Sequence, residues 1–113
     1  VGAMSGPQLW MLQRGSAMLL ALGVAVHLVT IMVAVRGGLS AAEILARTRG
    51  NAAWLAFYAA FALAAGLHGA IGLRAIAAEW LGWRGRGFDL AWMAVAVLTA
   101  ALGIRAAYGL YST

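Results

Sequence analysis

The sequence predicts an all-α membrane protein with three transmembrane helices. Three observations predict it. Of 113 residues, 65% are hydrophobic and 10% charged, with a mean hydropathy of +0.90; soluble domains carry roughly 25% charged residues. The apolar residues fall in three runs, each long enough for a bilayer crossing of about 20 residues at 1.5 Å rise. Arginines and aromatic residues (Trp10, Trp54, Trp80, Trp83 and Tyr111) stand near the ends of those runs, as membrane interfaces favour.

The first run covers about residues 9–35. The six residues before Pro7 complete a short polar lead-in. A signal peptide is a poor reading of the run, which is too long and has no small-residue cleavage site after it. Arg36-Gly37-Gly38 stops the helix, with glycine expected in the αL conformation. Ser40-Ala-Ala-Glu43 fits a capping box, so a short surface helix is expected over 40–48. The second run covers about 52–77, Trp83-Arg84-Gly85-Arg86-Gly87 makes the next turn, and the third run covers about 89–111. The connections leave no room for an extramembrane domain, and residues 1–113 read as one domain. Arg84 and Arg86 lie on one side, against Arg36, Arg47 and Arg49 on the other, so positive-inside counting does not decide orientation.

Composition also excludes several functions. With no cysteine, the chain offers no disulfide, no iron–sulfur ligand and no thiolate zinc site. All eight basic residues are arginine and the net charge is +5, but they are scattered and form no basic face for nucleic acid. No nucleophile–base constellation or metal-ligand cluster points to a complete active site on this chain. A single carboxylate at an interface argues against a proton-coupled transporter.

The informative residues are the polar ones inside the apolar runs. Ionisable groups at membrane depth are costly and need partners. Here they are Arg14, His27, His68 and Arg74, with Ser16 and Glu79 beside them. The first two helices are antiparallel, which offsets His27 from His68 by about nine residues of depth, or about 13 Å. Two axial ligands of one haem face each other at nearly equal depth. If both histidines are ligands, they therefore serve separate haems, each completed by another chain. Either can instead hydrogen-bond a neighbouring helix. Gly23 near His27, and Gly66, Gly69 and Gly72 around His68, suit close approach of a flat macrocycle or of another helix. Arg14 and Arg74 are placed to meet haem propionates or to snorkel to the interface. Glu79 and Trp80 also fit a solvated acid beside a belt aromatic.

Two motifs in order resemble a known family. Trp10-x-x-Gln13-Arg14-x-Ser16-Ala17, with His27 thirteen residues after Arg14, resembles the first helix of cytochrome b membrane anchors in the succinate dehydrogenase/fumarate reductase family. His68-x-x-x-Gly72-Leu73-Arg74-x-Ile76-x-x-Glu79-Trp80 resembles its second helix. The resemblance runs from Trp10 onward and includes the three-helix length.

It implies that the chain is part of a larger anchor bundle in the bacterial or mitochondrial inner membrane. The implied partners are a second membrane-anchor chain, an iron–sulfur subunit and a flavoprotein subunit. The implied cofactors are haem b, one or two shared with the partner chain, and quinone. His68 matches the ligand of the haem nearer the iron–sulfur subunit, and His27 the first-helix ligand of the two-haem branch. Arg14 and Ser16 match residues lining the quinone pocket, with Glu79 and Trp80 at its edge. The usual acidic–aromatic pair is Asp-Tyr, so an indole N–H here replaces a phenolic hydroxyl. The family also contains haem-free anchors, which makes a structural anchor or helper subunit the competing expectation.

Overall fold

The computed structural model describes residues 5–113. It contains four helices: α1 (Gly6–Gly37), α2 (Ala41–Thr48), α3 (Ala52–Leu81) and α4 (Arg86–Ser112). No strand occurs among the described residues. α1, α3 and α4 are long and apolar enough to cross a membrane. The bundle measures 48 × 23 × 22 Å, against about 40–45 Å for a bilayer with its headgroups.

α1 begins at Gly6, ahead of the residue 9 expected from the apolar run. Ser5 and Gln8 form a capping box: the Ser5 Oγ accepts from the Gln8 N–H at 3.3 Å, and the Gln8 Oε1 accepts from the Ser5 N–H at 2.8 Å. Pro7 lies in the first turn, where its missing N–H would have no helical partner anyway. Of the lead-in expected over residues 1–6, residues 1–4 lie outside the described part.

The first connection departs from the expected αL stop. Gly38 has φ 118° and ψ 146°, which is not αL, and its N–H donates to the Ala34 carbonyl at 2.7 Å. The Glu43 carboxylate fills the space that a side chain on residue 38 would need. Backbone and neighbour both demand glycine there. Ser40 and Glu43 form the second capping box, which starts α2. The Thr48 Oγ1 donates to the Leu110 carbonyl at 3.2 Å, and the Gly50 N–H to the Tyr111 carbonyl at 2.8 Å. These bonds tie the connection to the end of α4.

The Asn51 Oδ1 caps α3 by accepting from the Ala53 and Trp54 N–H groups. The helix runs to Leu81 and stops at Gly82, which is αL with φ 65°. Glu79 and Trp80 therefore sit on its last turn. α4 starts at Arg86, just after Gly85.

α3 is the central helix and packs more extensively on α4 than on α1. Small residues set the α3–α4 distance. A Cβ on Gly66 would stand 3.1 Å from both the Ala96 carbonyl oxygen and the Ala100 nitrogen, and one on Gly103 would stand 2.5 Å from the Ala62 Cβ. On the α1 side a Cβ on Gly23 would stand 3.3 Å from the Phe61 ring. The buried apolar residues are alanines and Phe88, while Leu22, Val33, Leu73, Leu98 and many other large apolar residues point outward. Inside a bilayer that is the expected arrangement, because lipid solvates large apolar side chains and close van der Waals contact joins the helices.

Candidate functional site

The α1–α3 register brings together residues that are far apart in sequence. Gln13 lies beside Gly72, Ser16 beside His68, Gly23 beside Phe61, and His27 beside Tyr58. Ten residues of α3 separate Tyr58 from His68, so the two histidines occupy levels about 15 Å apart along the helix. That is close to the offset expected from the sequence, and it keeps the two rings from facing one another.

At the His68 level, Ser16 is the one buried polar residue, 5% exposed. Its Oγ donates to the Gln13 carbonyl at 3.1 Å and lies 3.4 Å from the His68 Nδ1. The His68 Nε2 has no hydrogen-bond partner among the described residues, nor is it among the buried polar atoms lacking one. It is therefore not fully enclosed. The three glycines around this histidine do three different things. Gly66 sits against the α4 backbone, Gly72 against the Gln13 side chain, and Gly69 faces open space. Only the last, next to His68 in sequence, leaves a bare helix surface.

At the His27 level the surroundings are aromatic. The His27 Nδ1 is 3.2 Å from the Tyr58 hydroxyl. The rings of Tyr58 and Phe61 meet the imidazole edge to face at 5.7 and 5.8 Å, and Trp54 stacks on Tyr58 at 5.7 Å. The His27 Nε2, like that of His68, is neither bonded nor buried among the described residues. A cavity of about 180 Å³ beside it is lined by Thr30, Ala34, Arg47, Trp54 and Tyr58.

The charged residues do not converge on one point. Arg14 is exposed, with its guanidinium 4.9 Å from the Trp10 ring. Arg74 donates from Nε and Nη2 to the Asp89 Oδ1, at 3.0 and 2.9 Å, and lies 5.5 Å from the Phe88 ring. Glu79 and Trp80 are exposed at the end of α3. Arg14 is on the level of Ile71, about 12 Å below Glu79. Ser16 faces His68 and not the end of the bundle where Glu79 and Trp80 stand.

Four residues outside the expected set complete the neighbourhood. Asp89 neutralises Arg74, and the rule that an intramembrane cation needs a partner could have found it from sequence. Tyr58 bonds His27, and its place one helix away was not legible. The Gln13 Oε1 and the Trp92 Nε1 are buried without partners. Trp92 and Arg74 line a cavity of about 110 Å³ with Leu12, Ala70, Ile71 and Met93.

Among the described residues no three histidine or acidic side chains gather as a metal cage would. Iron held here would be bound by one histidine of this chain per level. An imidazole with Nδ1 hydrogen-bonded and Nε2 free has the donor arrangement such a ligand uses. The two residues fit that requirement, and His68 has the additional bare surface at Gly69.

Comparison with known proteins gives one match. The succinate dehydrogenase/fumarate reductase transmembrane subunit family matches residues 2–104. No curated protein and no solved structure matched. The chain belongs to that family. It is an integral membrane protein, the membrane-anchoring part of a multi-subunit enzyme complex.

Proposed function

We propose that this member of the succinate dehydrogenase/fumarate reductase transmembrane subunit family binds haem b and helps form a quinone site. Electrons then pass between an iron–sulfur subunit and membrane quinone. The observation that carries the reading is His68: Nδ1 paired with the Ser16 hydroxyl, Nε2 neither hydrogen-bonded nor fully enclosed, and Gly69, next in sequence, facing open space.

His68 would hold the haem iron through its neutral imidazole. A second anchor chain would supply the other ligand, since α3 offers no second histidine at this depth. When bound, a bis-histidine haem supplies one-electron transfer without an open iron position for oxygen. His27 is the candidate ligand for a second haem, one level away. Arg14 is placed to meet a propionate or a quinone oxygen through its guanidinium fork. Arg74 reaches a propionate only by sharing itself with Asp89, which already takes two of its donors. Glu79 and Trp80 stand at the end of α3, where the family pattern puts the edge of the quinone pocket, and Arg14 lies about 12 Å deeper. Ser16, grouped with them in the family pattern, contributes at the level of His68. The beginning of α1 and the 82–85 turn face the iron–sulfur subunit in the inner membrane. The flavoprotein subunit lies beyond, and the 38–51 connection faces the opposite side.

A second reading has one observation in its favour. The Tyr58 hydroxyl and the edge-on aromatic contacts of His27 are sufficient by themselves to explain a histidine in that position. Extended to both histidines, this reading gives a haem-free anchor.

The test is a reduced-minus-oxidised visible spectrum of the purified complex, with pyridine haemochrome quantified per copy of the chain. Two haems b per anchor pair support both histidines as ligands. One supports His68 and returns His27 to helix packing. None leaves an anchor without an electron-transfer role.

A further inference from the structure

We infer that Ser16 is a positioning residue that holds His68 in the tautomer able to ligate iron. This inference rests on the haem reading above and deepens it. A serine hydroxyl has one proton. In Ser16 that proton is committed to the Gln13 carbonyl, 3.1 Å away on the preceding turn of α1. With the hydroxyl proton on that carbonyl, the hydrogen between the Ser16 Oγ and the His68 Nδ1, 3.4 Å apart, comes from the ring. Neutral imidazole carries a single N–H. With that N–H on Nδ1, Nε2 keeps its lone pair, and Nε2 is the nitrogen that is neither hydrogen-bonded nor fully enclosed.

Burial keeps the arrangement from being exchanged. Ser16 is 5% exposed, so water does not replace either bond. Gln13 and Ser16 share one helix, which makes the carbonyl a fixed acceptor. His27 lacks such a lock. The Tyr58 hydroxyl makes no other hydrogen bond among the described residues, so it can donate to Nδ1 or accept from it. Only the second choice frees Nε2.

Loss of the Ser16 hydroxyl removes the reason for the proton to stay on Nδ1 and the acceptor that raises ligand basicity. Ser16→Ala deletes one oxygen and leaves the packing volume of the α1–α3 contact nearly intact. Ser16→Thr retains the hydroxyl.

The experiment has two readouts. The first is ¹⁵N NMR of the full chain labelled at its histidine rings, in lipid nanodiscs at alkaline pH, where free imidazole is neutral. The expected result is a His68 ring protonated on Nδ1 in the unsubstituted chain and in Ser16→Thr. In Ser16→Ala the proton shifts toward Nε2. The second is haem retention and midpoint potential in the purified complex. Ser16→Ala is expected to weaken retention by about 10-fold, as loss of an outer hydrogen bond to a metal ligand does, and to raise the potential; Ser16→Thr restores both. A His68 proton on Nε2 in the unsubstituted chain overturns the inference, as does an unchanged tautomer in Ser16→Ala. A complex without haem overturns the reading beneath it, and the NMR result tells the two failures apart.

Discussion

His68 and His27 each turn Nδ1 toward a hydroxyl on the neighbouring helix, at 3.4 and 3.2 Å. They differ in what stands around that bond. The His68 hydroxyl belongs to a buried serine whose own proton is already used, and Gly69, next in sequence, faces open space. The His27 hydroxyl belongs to a tyrosine with no second partner, and aromatic rings meet the imidazole on two sides. The same residue type at two depths of one bundle thus receives two chemical settings. The difference teaches that the two histidines are set apart by the partner's partner, one bond further out, on which the proposed ligand role of His68 rests.

The largest expected effect separates the two levels directly. His68→Ala is expected to remove the haem proposed for that level, read as loss of one haem from the haemochrome assay of the complex. His27→Ala leaves the His68 haem in place. Equal losses in the two variants would break the comparison.

Next in size is the Arg74–Asp89 pair. Asp89→Ala leaves Arg74 unpaired in a partly buried position and is expected to cost about 1.5–3 kcal/mol, the scale of a hydrogen bond to a charged group. The check is thermal unfolding of the complex in detergent, with Arg74→Gln added as the second arm of a double-mutant cycle. Additive losses would mean that the pair contributes nothing at this site.

The glycines sharpen the comparison further. Gly66→Leu overpacks the α3–α4 seam and is expected to cost about 1–3 kcal/mol, read as a lower unfolding midpoint. A Cβ on Gly69 would meet nothing within 4 Å, so with Gly69→Leu the unfolding midpoint of the isolated chain is expected to hold while haem retention in the complex falls. A stability loss in Gly69→Leu would place that glycine in helix packing.

The smallest effect is at Tyr58. Tyr58→Phe removes one neutral hydrogen bond and is expected to cost about 0.5–1.5 kcal/mol. The haem at the His68 level should keep its absorption spectrum. A spectral change there would couple the two levels.

The three spans, the short helix after Gly38 and the antiparallel depth of the histidines were legible because apolar run length and capping residues act locally. The helix ends were less so. The Ser5–Gln8 box was present in the sequence, but a start placed at the first apolar residue missed it. Glu79 and Trp80 extend α3 because polar residues continue a helix beyond the hydrocarbon core. The Gly38 stop has φ 118° and ψ 146° in place of the αL values expected, and the Glu43 carboxylate occupies the space a Cβ there would need.

The contacts between helices were mostly hidden. Ser16 and His68 are 52 residues apart, and no periodicity within either helix sets which face meets which. The same holds for His27 and Tyr58. Gly66, Gly69 and Gly72 read alike along the chain and differ only once α1 and α4 are in place. Arg74 and Asp89 could have been paired in advance, because an arginine at that depth requires an anion.

The most direct test of the central claim is near-infrared magnetic circular dichroism of the oxidised complex, which reads the axial ligand pair of a low-spin haem. The account predicts a bis-imidazole signature in the unsubstituted complex and a methionine–imidazole signature in His68→Met. An unchanged bis-imidazole signature in His68→Met, or no low-spin haem in the unsubstituted complex, would contradict it.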